Sequence, residues 1–155
     1  MAGGRRSGLA VAGIRIQARA AAPVQTVWAV LSAQNDMAAW APIRAVALER
    51  EGNPPPDGIG AIRVLSRPPF KIREEITGVD APVRLAYRML SGLPVRDYTG
   101  ETTLTQRDGA TDILWTVSMT ARLPGLTFIV RRVIRDLARG LVAESERIAG
   151  QERRS

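Results

Sequence analysis

AIRVLSRPPFKIREEITGVDAPVRLAYRML, residues 61–90, reads as three strands parted by two tight turns. Pro68-Pro69 and Asp80-Ala81-Pro82 break the run, and the flanking segments alternate in character. Gly60–Arg67, Phe70–Gly78 and Val83–Leu90 are therefore expected as strands. The same rhythm extends outward to Ile43–Arg50, Val95–Gln106 and Asp112–Arg122. The loop at 52–58, Ser91-Gly92-Leu93-Pro94 and Asp108-Gly109 separate them. Ile14–Ala20 adds one strand near the start, and such short connections suit antiparallel neighbours.

Helical spacing occurs in three places. Pro23 precedes a short helix at Val24–Leu31, and Asn35-Asp36 opens another that Pro42 stops after Trp40. The third is long, from Pro124-Gly125 to about Ala149. Leu126, Val130, Val133, Ile134, Leu137, Leu141 and Ile148 share one of its faces. Arg131, Arg135 and Arg139 lie along another, which reads as a solvated face, with a protein-interaction surface as the other option. The long helix must bury its apolar stripe, and only the sheet is large enough to receive it. The fold class is thus α+β: a curved antiparallel seven-stranded sheet wrapped on a long C-terminal helix, with two short helices after strand 1. One domain spans 14–149, between an N-terminal tail (1–13) and a C-terminal tail (150–155).

The turns also predict a register, because a hairpin turn fixes which residues face each other. Tips at Pro68-Pro69, Asp80-Ala81 and Gly92-Leu93 pair Arg63 with Glu74, Glu74 with Tyr87, and Tyr87 with Tyr98. Asp108-Gly109 brings Thr102 to Trp115. The row Arg63–Glu74–Tyr87–Tyr98 shares its parity with Ala61, Leu65, Phe70, Ile72, Ile76, Val83, Leu85, Met89 and Leu104, the apolar inner face. A slip of two residues would keep the face and lose the row. An ion pair on an apolar face costs several kcal/mol per ion unless well partnered. It either fixes the sheet geometry or forms the polar floor of a ligand cavity, and the two roles are compatible.

Composition narrows the chemistry. The 155 residues include no cysteine and no histidine. That excludes disulfides, thiolate nucleophiles, imidazole bases and sulfur- or histidine-built metal sites. The net charge of +7 comes from 22 basic residues, all arginine except Lys71, spread over the chain with few aromatics among them. A specific nucleic-acid role is not expected. No stretch approaches the length of a membrane span, and the cytoplasm is the expected location. Gly58-Ile59-Gly60 precedes a strand and is no dinucleotide fingerprint; Glu74-Glu75 is no glycosidase dyad, since adjacent strand residues point oppositely. Trp28 is expected in the core and Trp40 at a cavity mouth.

Ala22–Leu31, Trp40-Ala41-Pro42, Gly58–Arg63, Ile72-Arg73-Glu74, Tyr87-Arg88 and Gly109–Trp115, followed by the terminal helix, together resemble the START-like (SRPBCC) superfamily of polyketide cyclase/dehydrase and lipid-transport type. The resemblance runs from Ile14 to Ala149 and implies a helix-grip fold around a cavity for a hydrophobic or amphipathic small molecule. The expected lining is Trp40, Arg63, Ile72, Glu74, Leu85, Tyr87, Tyr98, Trp115, Val133 and Leu137. No cofactor or metal is expected, and the chain is expected to be a monomer or homodimer. The leading expectation is a binding or transport protein with no catalytic residue. The alternative is a cofactor-independent cyclase or dehydratase with Glu74 as general acid or base and Tyr87 or Tyr98 as donor. Cyclase relatives that rely on histidine differ here.

Overall fold

A computed structural model describes residues 11–155. Strand β1 (Val11–Ala20) leads into helix α1 (Val24–Ser32) and a 3-10 helix (Gln34–Ala39). Six strands follow: β2 (Ala45–Arg50), β3 (Ile62–Arg67), β4 (Phe70–Asp80), β5 (Arg84–Ser91), β6 (Val95–Arg107) and β7 (Ala110–Ala121). Helix α2 (Leu126–Glu152) ends the fold. The seven strands form one antiparallel sheet in the order β1-β7-β6-β5-β4-β3-β2, the helix-grip arrangement expected from the sequence.

The ends of the elements differ from the sequence reading. β1 begins at Val11, which faces Thr120, so residues 11–13, expected in the N-terminal tail, belong to the strand; the rest of that expected tail, residues 1–10, lies outside the described residues. α2 starts after Pro124-Gly125 and continues to Glu152, so only Arg153-Arg154-Ser155 follow it. α1 follows Pro23, which offers no capping side chain. Gln106 on β6 supplies the missing acceptor, taking a hydrogen bond of 2.9 Å from the Val24 amide.

Two hairpins keep the expected register and two do not. Arg63 faces Glu74 and Leu65 faces Ile72 across the Pro68-Pro69 tip. Thr102 faces Trp115 and Leu104 faces Ile113 across Asp108-Gly109. Between β4 and β5, however, Asp80 faces Arg84, which leaves a three-residue tip, and bulges fall at Arg73/Glu74 and Ile76/Gly78. Glu74 consequently faces Met89, and Ile76 faces Tyr87. Between β5 and β6, Tyr87 faces Gly100 instead of Tyr98. Each slip at these side chains is two residues, so the inner face survives. Gly100 is the physical reason for the second slip: a Cβ there would lie 2.2 Å from Cζ of Tyr87, so the phenol rests where a side chain is missing.

The core lies between this face and the apolar stripe of α2, with Ile14, Leu31, Ile76, Ile113, Met119 and Leu141 almost wholly buried. Trp28 is half-buried and packs against it, as expected. Gly140 lets α2 pass close to the 3-10 helix, since a Cβ there would lie 2.1 Å from the Trp40 carbonyl oxygen. Gly140→Ala is therefore expected to destabilise the fold despite alanine's better helix propensity. A loss of about 1–3 kcal/mol from overpacking should lower Tm by several degrees in calorimetry. An unchanged or higher Tm would contradict the close approach.

Candidate functional site

A cavity of about 410 Å³ lies between the inner face of β3–β6 and the N-terminal half of α2. Its size falls in the range of small-molecule sites, which run from about 300 to 1,000 Å³. Arg63, Ile72, Glu74, Tyr87, Tyr98, Trp115, Val133 and Leu137 line it. The structure thus brings eight of the ten expected residues together. Leu85 does not join them: it is buried deeper along β5, past Tyr87. Trp40 is also elsewhere, in a groove between α1, the 3-10 helix and α2 that holds Asp36, Glu144 and Glu152.

The register shifts rebuild the polar row as a cluster. The Arg63 guanidinium sits over the Tyr87 ring at 5.7 Å from its centroid, a cation–π contact. Trp115 donates its indole N–H to the Tyr87 hydroxyl at 2.9 Å. Tyr98 completes the group, its ring centroid 6.4 Å from that of Tyr87. Arg63 Nη2 and Glu74 Oε2 lie 3.6 Å apart, an ion contact too long for a good hydrogen bond. All five residues are buried. Within the protein, Arg63 Nε, Arg63 Nη1 and Glu74 Oε2 have no hydrogen-bond partner. Buried behind the wall of this cavity are therefore N–H donors and a carboxyl oxygen whose bonding capacity the protein itself does not fill.

Burial sets the protonation of this group. It raises the Glu74 carboxyl above the usual carboxylate range, and the nearby Arg63 charge only partly opposes it. Burial likewise raises Tyr87 and Tyr98 far above ordinary phenols. Both tyrosines stay neutral near pH 7, and with its oxygen already accepting from Trp115, Tyr87 keeps a proton to donate. The cluster can hold a carbonyl or hydroxyl from several sides, or pass a proton at Glu74. Among the described residues no group of three acidic side chains is placed to hold a metal ion.

Sequence reading placed Leu65, Phe70 and Met89 on the inner face without assigning them to the site, and it missed Arg67, Met37, Ile43, Leu93, Pro94, Leu123 and Ile129. Several of these sit in turns or loops. The available signal was large apolar residues at positions where turns are normally polar, as at Leu93 and Leu123.

The model of the family described as polyketide cyclase / dehydrase and lipid transport matches residues 12–146. No curated protein matches the chain by sequence. Among solved structures, a protein of Nitrosospira multiformis superposes with a TM-score of 0.74 at 22% identity, over 86% of this chain and 95% of that one. Ara h 8.0201 gives 0.72 at 15% identity, over 88% and 98%. The Zhui aromatase/cyclase of Streptomyces sp. R1128 gives 0.72 at 20% identity, over 89% and 95%. At these identities the structures share the fold. The family match spans nearly the whole chain, and with this sheet, helix and cavity it places the protein in the polyketide cyclase / dehydrase and lipid transport family of the START-like superfamily.

Proposed function

We propose that the protein binds a hydrophobic or amphipathic small molecule in the cavity beneath α2, with Arg63, Glu74 and Tyr87 orienting its carbonyl or hydroxyl end. The supporting observation is a buried, loosely engaged Arg63–Glu74 pair in the wall of an otherwise apolar cavity of about 410 Å³. A pair kept only for stability would gain from closing its hydrogen bonds. An apolar ligand body gains about 25 cal/mol for each Å² it buries, and the polar cluster selects its orientation. Native mass spectrometry of protein purified from its own host tests this: a co-purified small mass is expected. Absence of any bound mass, together with failure to take up apolar fluorescent probes, would refute it.

A second reading has its own support. Glu74 is held toward the protonated state at the cavity wall, and the fold is that of an aromatase/cyclase. In this reading Glu74 serves as general acid or base on a bound polyketide-like substrate, with a neutral tyrosine as donor. Glu74→Gln separates the two. A carrier should keep its affinity within about tenfold, whereas an enzyme should lose turnover altogether. Turnover of a candidate polyketide that survives this substitution would exclude Glu74 as the acid or base.

A further inference from the structure

The arginines that are scattered in sequence are gathered by the fold, and they meet exposed apolar side chains at the cavity mouth. Phe70, Leu123 and Ile129 line the cavity yet remain 46%, 56% and 58% exposed, so they form its rim. Phe128, beside Ile129 on the first turn of α2, is 70% exposed. Three separate segments thus push large apolar groups into water around one opening. Single exposed apolar residues are ordinary, but several gathered around one opening fit an interaction site.

The segments that carry them hold charge of one sign as far as Arg135, before Asp136 on α2. Lys71 follows Phe70, Arg122 precedes Leu123, and Arg131, Arg132 and Arg135 follow Phe128; Arg67, which faces Phe70 across the hairpin, lines the cavity itself. Residues 66–72 and 121–135 contain no carboxylate. None of these six cations makes a salt bridge among the described residues. The stripe continues along α2 into a groove where Arg131, Arg135 and Arg139 meet Arg15 of β1, again without an acidic residue in its lining. Phe128 and Arg132 are one turn apart and share a face.

Apolar side chains raised from a basic surface are the pattern of a protein face that settles into the headgroup region of an anionic bilayer. We infer that the mouth of the cavity docks on anionic lipid surfaces, and that the apolar rim opens the cavity directly to the hydrocarbon. A ligand of low solubility would then pass between membrane and cavity without crossing water. A lipid surface fits better than a folded acidic protein because the apolar groups ring an opening and form no continuous flat patch. The inference rests on the reading that the cavity holds an apolar ligand, and its test keeps the two apart.

The test is co-sedimentation of the full chain with vesicles of phosphatidylcholine alone or mixed with phosphatidylglycerol. The carrier is compared with the double variant Phe128→Ser/Arg132→Glu, in which neither residue lines the cavity. The parent protein should bind the anionic vesicles, more weakly as salt rises. The variant should bind at least about tenfold less, since one arginine near a charged surface is worth about fivefold in partitioning and the phenyl adds to it. Both proteins should take up an apolar fluorescent probe equally well in vesicle-free solution. Equal binding to neutral and anionic vesicles, or undiminished binding by the variant, would overturn the inference. Binding to an immobilised acidic protein with no binding to vesicles would also overturn it, and would assign the face to a protein partner. Probe uptake without vesicle binding sinks the docking face alone; vesicle binding lost in the variant without probe uptake supports the docking face and sinks the cavity reading.

Discussion

Val133→Trp should all but abolish uptake of an apolar probe while leaving the protein folded. Val133 is half-buried on α2 and projects into the cavity from the side opposite the polar cluster. An indole there fills space that a ligand would otherwise occupy, so the substitution plugs the cavity without crowding the solid core. Displacing on the order of 100 Å² of apolar ligand contact removes about 2.5 kcal/mol, close to a hundredfold in Kd. Fluorescence titration of the parent and the variant measures this directly, with circular dichroism as the check on folding. An unchanged Kd would place the ligand elsewhere.

The second large effect concerns stability. Arg63→Met removes the cation from a pair whose side chains are only 4% and 9% exposed. Losing one partner of a buried pair costs about 3–5 kcal/mol, since the remaining charge stays desolvated. For a chain of this size that corresponds to a fall in Tm of roughly 6–20 °C. The loss should depend on pH. Burial already holds the Glu74 carboxyl above its ordinary value, so the folded protein binds this proton more tightly than the unfolded chain. The stability contributed in this way is complete below the ordinary value of 4.5 and disappears as pH rises through the raised one. Without Arg63 nothing nearby opposes the rise, and the window extends further toward neutral pH. Arg63→Met should accordingly approach the parent in stability in acid and fall behind it near neutrality. Adding Glu74→Gln should restore most of the loss and flatten the pH dependence. Chemical denaturation at several pH values reads all three variants, and a loss independent of pH would argue against a charged Glu74 in the parent pair.

The topology was readable because its turns are written in proline, glycine and aspartate, and because α2 carries a clear apolar stripe. The polar floor was readable for a different reason: Arg63 and Glu74 break the apolar parity of their strands. Pairing was less accessible. Turn residues do not announce the bulges around Arg73 and Ile76 that shift β5 by two positions against β4. Nor does Gly100 announce that a phenol will lie across it. Parity still assigned the correct face, since an even slip preserves it. It could not say how far along a strand the cavity reaches, which is why Leu85 was expected in a cavity that it does not line. The rim stayed hidden because Leu93 and Leu123 sit at turns, where no period exists to reveal a common surface.

That the gripping helix is the last described element has a consequence for synthesis. The sheet is complete in sequence at Ala121, but its inner face is closed only by residues 126–152. A nascent chain must therefore expose that apolar surface from the time Ala121 emerges until residues 126–152 have followed it. Premature termination ahead of Leu126 would leave a concave, sticky half-fold, which makes this stage of translation the one at which a chaperone has most to protect.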